Sequence, residues 1–202
     1  MNGKIGEADQ AKELHLKNIL IGLFSASLSL MAHAADNICY DEANAFSTQA
    51  PEGWVADSEK AKELGLCIVY YLKGKDFDSS PAVIYPNLVK SDKNGQAAVD
   101  KILAGDIATF KEKSETLEIL KQSPIQSKSK LDFAVRHFRK GPPPNEFEAV
   151  AYHPGKKAVL IVVLSSRNEK DFDTQKVKLE EFLKAIKPVS RKDLAQYRKS
   201  KK

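Results

Sequence analysis

The stretch Ala158-Val159-Leu160-Ile161-Val162-Val163-Leu164, closed by Ser165, decides the fold of this 202-residue chain. No polar residue interrupts it, so it has no face to give to solvent and is expected in the middle of a sheet, covered on both sides. Working backwards, Phe147 to Tyr152 is the preceding strand, joined to it by the tight connection His153-Pro154-Gly155-Lys156. Before that, Leu131, Phe133, Val135 and His137 alternate with Asp132, Ala134, Arg136 and Phe138. That period of two predicts a half-buried strand, and Gly141-Pro142-Pro143-Pro144-Asn145 is the stiff turn that follows it.

Further out, Thr116 to Gln122 is a candidate strand ended by Ser123-Pro124, and Ala82 to Val89 is another, opened by Pro81. Leu66 to Leu72 is so continuously apolar that a central position is expected for it. Asn44 to Ala50 forms a short strand running into Pro51-Glu52-Gly53-Trp54, a turn that delivers a large ring towards the core. Two segments carry helical spacing instead. Val99, Ile102, Leu103, Ile107 and Phe110 recur on one face, with Asp92 or Asn94 as the expected cap. Asp171 opens the second helix, whose stripe is Phe172, Leu179, Phe182, Leu183 and Ile186, ending near Pro188. Consecutive strands on short turns imply antiparallel pairing. The predicted class is therefore α+β: an antiparallel sheet of about six or seven strands sandwiched with two main helices. Residues 35–188 form its single domain, and 189–202 are a basic C-terminal tail or short helix, with Ser190 and Asp193 at capping spacing.

The first 34 residues read as a leader and signal peptide. Ile19 to Met31 is apolar but thin and serine-rich, and it ends in Ala32-His33-Ala34, the small-x-small pattern that a signal peptidase accepts. Cleavage after Ala34 is expected to release a periplasmic or secreted product with no transmembrane segment, since the apolar run is short for a bilayer span. The charges of Met1 to Lys17 cancel, where a secretory leader is net positive, which points to a true start downstream of Met1. Asp36-Asn37-Ile38 before Cys39 is no lipobox, so no lipid attachment is expected.

The formal charge is +5, but from Lys187 onward seven basic residues face Asp193 alone. The body is close to neutral and gives no electrostatic reason to expect nucleic acid. Cys39 and Cys67 are the only cysteines, and in an oxidising compartment an even pair reads most simply as one disulfide; two free thiols are the alternative. No cofactor or metal site is expected, for want of further cysteine and histidine ligands.

Phe46 followed by Pro51-Glu52-Gly53-Trp54, Pro81 opening a strand, the helix from about Gln96 to Lys113, Leu164-Ser165-Ser166 closing a strand, and the last helix with Phe172 and Phe182 together resemble the fold shared by Mog1 and the photosystem II extrinsic protein PsbP. The resemblance covers residues 44–188. It implies an accessory or binding module, since Mog1 binds a small GTPase and PsbP supports ion retention at the oxygen-evolving centre. An export signal argues against a nuclear partner of the Mog1 kind, and no functional residue transfers from either.

Catalytic chemistry has little behind it. His15 and His33 depart with the leader; His153 is a turn residue, and His137 ends an apolar strand face. Ser165 and Ser166 lack a Gly-x-Ser-x-Gly frame. Asp76, Asp78, Ser79 and Ser80 lack the glycine and glutamate of a calcium loop and read as a solvated turn. Tyr70, Tyr71 and Tyr85 either line a groove or, as strand spacing favours, pack in the core. The expectation is an exported, non-enzymatic accessory or binding module whose partner is an envelope protein or small ligand. Two alternatives stand beside it: an envelope hydrolase without a recognisable motif, tested at Ser166 and His137, and attachment to anionic surfaces through Arg191, Lys192, Arg198 and Lys199. Oligomeric state is not legible.

Overall fold

The computed structural model describes residues 37–200, so the expectations for the leader and its cleavage site lie outside the described residues. Eleven strands and four helices follow in the order β1 (Asn37–Tyr40), β2 (Ala45–Thr48), β3 (Trp54–Asp57), α1 (Ser58–Leu64), β4 (Val69–Leu72), β5 (Ala82–Lys90), α2 (Gln96–Lys113), β6 (Glu118–Lys121), β7 (Ile125–Gln126), β8 (Asp132–Arg139), β9 (Phe147–Pro154), β10 (Ala158–Ser166), α3 (Glu169–Ala185), β11 (Lys187–Pro188) and α4 (Arg191–Ser200).

The main sheet is antiparallel and eight-stranded, ordered β3-β4-β5-β10-β9-β8-β6, with β7 pairing beside β8. β10 lies between β5 and β9 and every one of its residues is buried, as its unbroken apolar run requires. Pleating sends Leu160, Val162 and Leu164 to one face and Val159, Ile161 and Val163 to the other. The first set packs with Phe172, Leu179, Phe182 and Leu183 of α3. The second set meets Ala98, Val99, Leu103 and Phe110 of α2. The two long helices thus take one face each.

Three expectations need correction. The apolar run from Leu66 does not form a central strand: only Val69–Leu72 pairs, and β4 is one strand in from the edge. Its burial comes from the cover over it, where Tyr70 stacks edge-on against Phe182 at 5.1 Å. Neither Asp92 nor Asn94 caps α2. Gly95 occupies that position at φ 57, a backbone angle glycine adopts without strain. Asp92 pairs instead with Lys101, and Asn94 accepts from the Lys157 amide. His153 is not in a turn: it lies in β9 opposite Leu160, with its ring between Phe46 and Phe133.

A second, three-stranded sheet, β1-β2-β11, was not foreseen as a separate layer. Cys39 and Phe46 bring it into the α3-side core. The Cys39–Cys67 disulfide fastens it there, with the two Cα atoms 5.1 Å apart. The end of the expected domain joins this sheet just before the basic tail, as Lys187 and Pro188 pair with Ser47 and Phe46. α4 follows, with the Ser190 hydroxyl accepting from the Asp193 amide as its spacing predicts.

Candidate ligand-binding site

The α2-facing side of the sheet can be built row by row from strand register. One row reads Val83, Ser165, Glu148, Phe138; the next, Tyr85, Val163, Val150, Arg136; the third, Asn87, Ile161, Tyr152, Ala134. On the helix above, Val99, Leu103, Asp106 and Phe110 follow three- and four-residue steps, which places Asp106 on the inward stripe among apolar neighbours. Between helix and sheet lies a cavity of about 310 Å³ lined by Tyr85, Asn87, Val89, Asp106, Phe110, Glu148, Val150, Ile161 and Val163.

The polar groups of this cavity are only partly satisfied from within the protein. The Ser165 hydroxyl donates to Glu148 Oε1 at 3.1 Å, and the Tyr152 hydroxyl donates to Asp106 Oδ2 at 2.8 Å. Glu148 Oε2, Asp106 Oδ1 and the Tyr85 hydroxyl have no hydrogen-bond partner among the described residues. Burial, reinforced by the charge of Asp106, pushes the Glu148 carboxyl up to about 7. Burial also raises Asp106 above the usual aspartate range, against the lowering effect of the Tyr152 hydrogen bond. Tyr85 is pushed upward by burial first, then by the negative charges of Glu148 and Asp106. Perturbed acids converging on a largely apolar cavity are the physical mark of a binding site.

Of the tyrosines singled out in the sequence, Tyr70 is core and bonds Thr48 Oγ1, and Tyr71 donates to Asp57. Tyr85 alone lines this cavity. Asp106 and Glu148 were missed, though both left a signal. Asp106 interrupts a helical apolar stripe, and Glu148 alternates in phase with Val150 and Tyr152 in a strand buried on both faces.

Ser166 and His137 do not meet. The register puts His137 opposite Ala149, and Ser166 opposite Phe147, two strands away and two residues along. The Ser166 hydroxyl donates to the carbonyls of Pro81 and Asn168. His137 lines a wider groove of about 480 Å³ against α3 with Asp173, Lys176 and Glu180, and packs edge-on to Phe172 at 5.2 Å. Burial first, then the charges of Arg139 and Lys176, hold its pKa down to about 4, so it is neutral at physiological pH.

The loop Asp76 to Ser80 closes on itself, Ser79 donating its amide to Asp76 at 2.7 Å. No group of three or more His, Cys, Asp or Glu able to hold a metal ion occurs among the described residues. None of their helices is long and apolar enough to cross a membrane. On α4, Arg191, Lys192 and Lys199 point into solvent. The Arg198 guanidinium lies 4.6 Å over the Tyr40 ring, and Tyr197 packs edge-on to the same ring.

No family model and no curated protein matches this chain. Among solved structures, its fold is similar to the solution structure of cyanobacterial PsbP (CyanoP) from Synechocystis sp. PCC 6803, at 11% identity and a TM-score of 0.49, covering 82% of this chain and 99% of that one. It is also similar to the crystal structure of the Saccharomyces cerevisiae Ran-binding protein Mog1p, at 11% identity and a TM-score of 0.41, covering 70% of this chain and 89% of that one. These are likenesses of fold, and no residue role travels with them.

Proposed function

We propose that this chain is an exported, non-enzymatic binding module that holds a small ligand in the cavity between α2 and the main sheet. The observation that carries the reading is the convergence of a half-buried acid, Glu148, with the unpartnered Tyr85 hydroxyl in a cavity whose walls are otherwise largely apolar. Non-catalytic binding fits the separation of Ser166 from His137 and the engagement of the Ser166 hydroxyl by backbone carbonyls. Export is supported by the signal-like leader and by the disulfide, a bond that persists in oxidising compartments.

Two measurements test this. A small-fragment screen followed by amide chemical shifts is expected to cluster its responses at Tyr85, Asn87, Asp106, Val150 and Val163. Responses clustering elsewhere, or hydrolase turnover abolished by Ser166→Ala or His137→Ala, would overturn the reading. For export, the protein recovered from cell fractions is expected to begin at Ala35; Met1 retained on the cell-derived protein would contradict it.

A further inference from the structure

The cavity beneath α2 describes its occupant by the charges it presents. Both ionisable carboxyls in its lining are acids, Glu148 and Asp106, and no lysine, arginine or histidine lines it. Arg136 lies on that face of the sheet, opposite Val150, and its Nη1 donates to the carbonyl of Val135. The groups left without a partner are Glu148 Oε2, Asp106 Oδ1 and the Tyr85 hydroxyl, each able to accept a hydrogen bond. A primary ammonium has three N–H donors and no acceptor, so it satisfies such a set without leaving a donor of its own unpaired. The walls supply the rest of the match: Phe110, stacked on Phe138, adds an aromatic ring to the lining, and Val89, Ile161 and Val163 an apolar bed.

Competing chemistries fit less well. An anion would face two acids with no base in the lining. A bare divalent cation needs more hard ligands than two carboxyls, and no third His, Cys, Asp or Glu joins them. A neutral alcohol brings no counter-charge to the two half-buried acids.

We propose that the ligand is a small organic cation, a primary ammonium on an apolar body about the size of one ring. Its nitrogen lies among Glu148, Asp106 and the Tyr85 hydroxyl, and its body lies along Phe110, Ile161 and Val163. This rests on the binding-module reading above and narrows it to one ligand class. Binding is coupled to protons. The titratable and polar groups around Glu148 are Ser165 from β10, Tyr85 from β5, Tyr152 from its own strand and Asp106 from α2, while Arg136 of β8 lies opposite Val150 and acts on Tyr152. Of these, Glu148 is pushed up to about 7 by burial, and burial also raises Asp106 above the usual aspartate range. A bound ammonium favours their charged forms, so protons leave as it enters.

The test is an amide chemical-shift titration of the full chain with 2-phenylethylammonium, 2-phenylethanol and 3-phenylpropionate, in wild type, Glu148→Gln and Asp106→Asn. The ammonium is expected to bind at least about tenfold more tightly than the alcohol, with shifts at Tyr85, Asn87, Val150 and Val163, and the carboxylate not at all. From about pH 8 to about pH 5.5 its Kd should weaken by about tenfold or more, since each unit below the free carboxyl pKa costs up to a factor of ten. Glu148→Gln should weaken the ammonium about tenfold and leave the alcohol unchanged; Asp106→Asn repeats the test at the second acid. An alcohol that binds as tightly as the ammonium would overturn the cation assignment while leaving the pocket reading intact. No pocket shift with any of the three probes would overturn both.

Discussion

Glu148 and His137 sit on opposite faces of the same sheet, and burial acts on them with opposite signs. Glu148 is raised from 4.5 to about 7, so between those values the folded chain holds a proton that the unfolded chain has lost. Stability from this group therefore falls as pH rises from about 4.5 to about 7 and is level above. His137 is lowered from 6.5 to about 4, so in that interval the unfolded chain holds the extra proton. Stability from His137 therefore falls as pH drops from about 6.5 to about 4. The two slopes oppose each other across much of the mildly acidic range. Glu148→Gln removes one of them: at pH 8 it is expected to stabilise the fold by roughly 1 to 3 kcal/mol, and below pH 6.5 it should leave the His137 slope exposed, both read by urea denaturation at several pH values. A destabilised Glu148→Gln protein at pH 8 would show that the carboxylate is well solvated or paired. At this scale the sequence was partly legible. Tyr85 could be named from its strand, but the environment of Glu148 comes from neighbours on β5, β8, β10 and α2, which one strand's alternation does not identify.

Among the elements, the long ones were read from their periodicity and the short ones were not. The stripes of α2 and α3 and the unbroken run of β10 each repeat over several turns or residues, so local pattern and tertiary burial agree. α1 is seven residues long, its side chain at Ala61 the only one buried, and no apolar stripe announces it. Its start is fixed by the Asp57 carboxylate accepting from the Lys60 amide at 2.8 Å, a side chain that also takes the Tyr71 hydroxyl. The three-stranded sheet is held by the buried residues of β2 and by a crosslink. The Cys39–Cys67 bond closes 28 residues, and its removal by Cys39→Ser with Cys67→Ser is expected to cost about 3 to 4 kcal/mol on the chain-entropy estimate, measured as a lower denaturation midpoint. A midpoint unchanged by the double substitution, or two thiols that alkylate without reductant, would contradict this. α4 has no buried residue and is held to β1 through Tyr40. Tyr40→Ala is expected to speed amide exchange across residues 191–200 while shifting global stability by less than about 1 kcal/mol.

At the level of the whole molecule, one sheet carries a long helix on each face, with a groove of about 480 Å³ beside α3 and a cavity of about 310 Å³ beneath α2. The α3 side is closed by large rings: Phe172 is fully buried, beneath the Arg139 guanidinium at 5.3 Å and beside Phe147 and His137. Phe172→Ala is expected to cost about 3 to 5 kcal/mol, seen as a lower thermal midpoint, with the α2-side cavity still formed. The α2 side is packed by small residues at the helix start, Ala98 and Val99, and gives way to the cavity where Asp106 and Phe110 face Tyr85. That division follows from the sequence of α2 only once the helix is known to sit alone on its face. The measurement that bears most directly on the pocket is the titration of the Glu148 carboxyl carbon by NMR, in the free chain and saturated with 2-phenylethylammonium. A midpoint near 7 in the free chain, falling by about one unit or more with the cation bound, is the expected result. A midpoint at the ordinary glutamate value, the same with and without the cation, would contradict it.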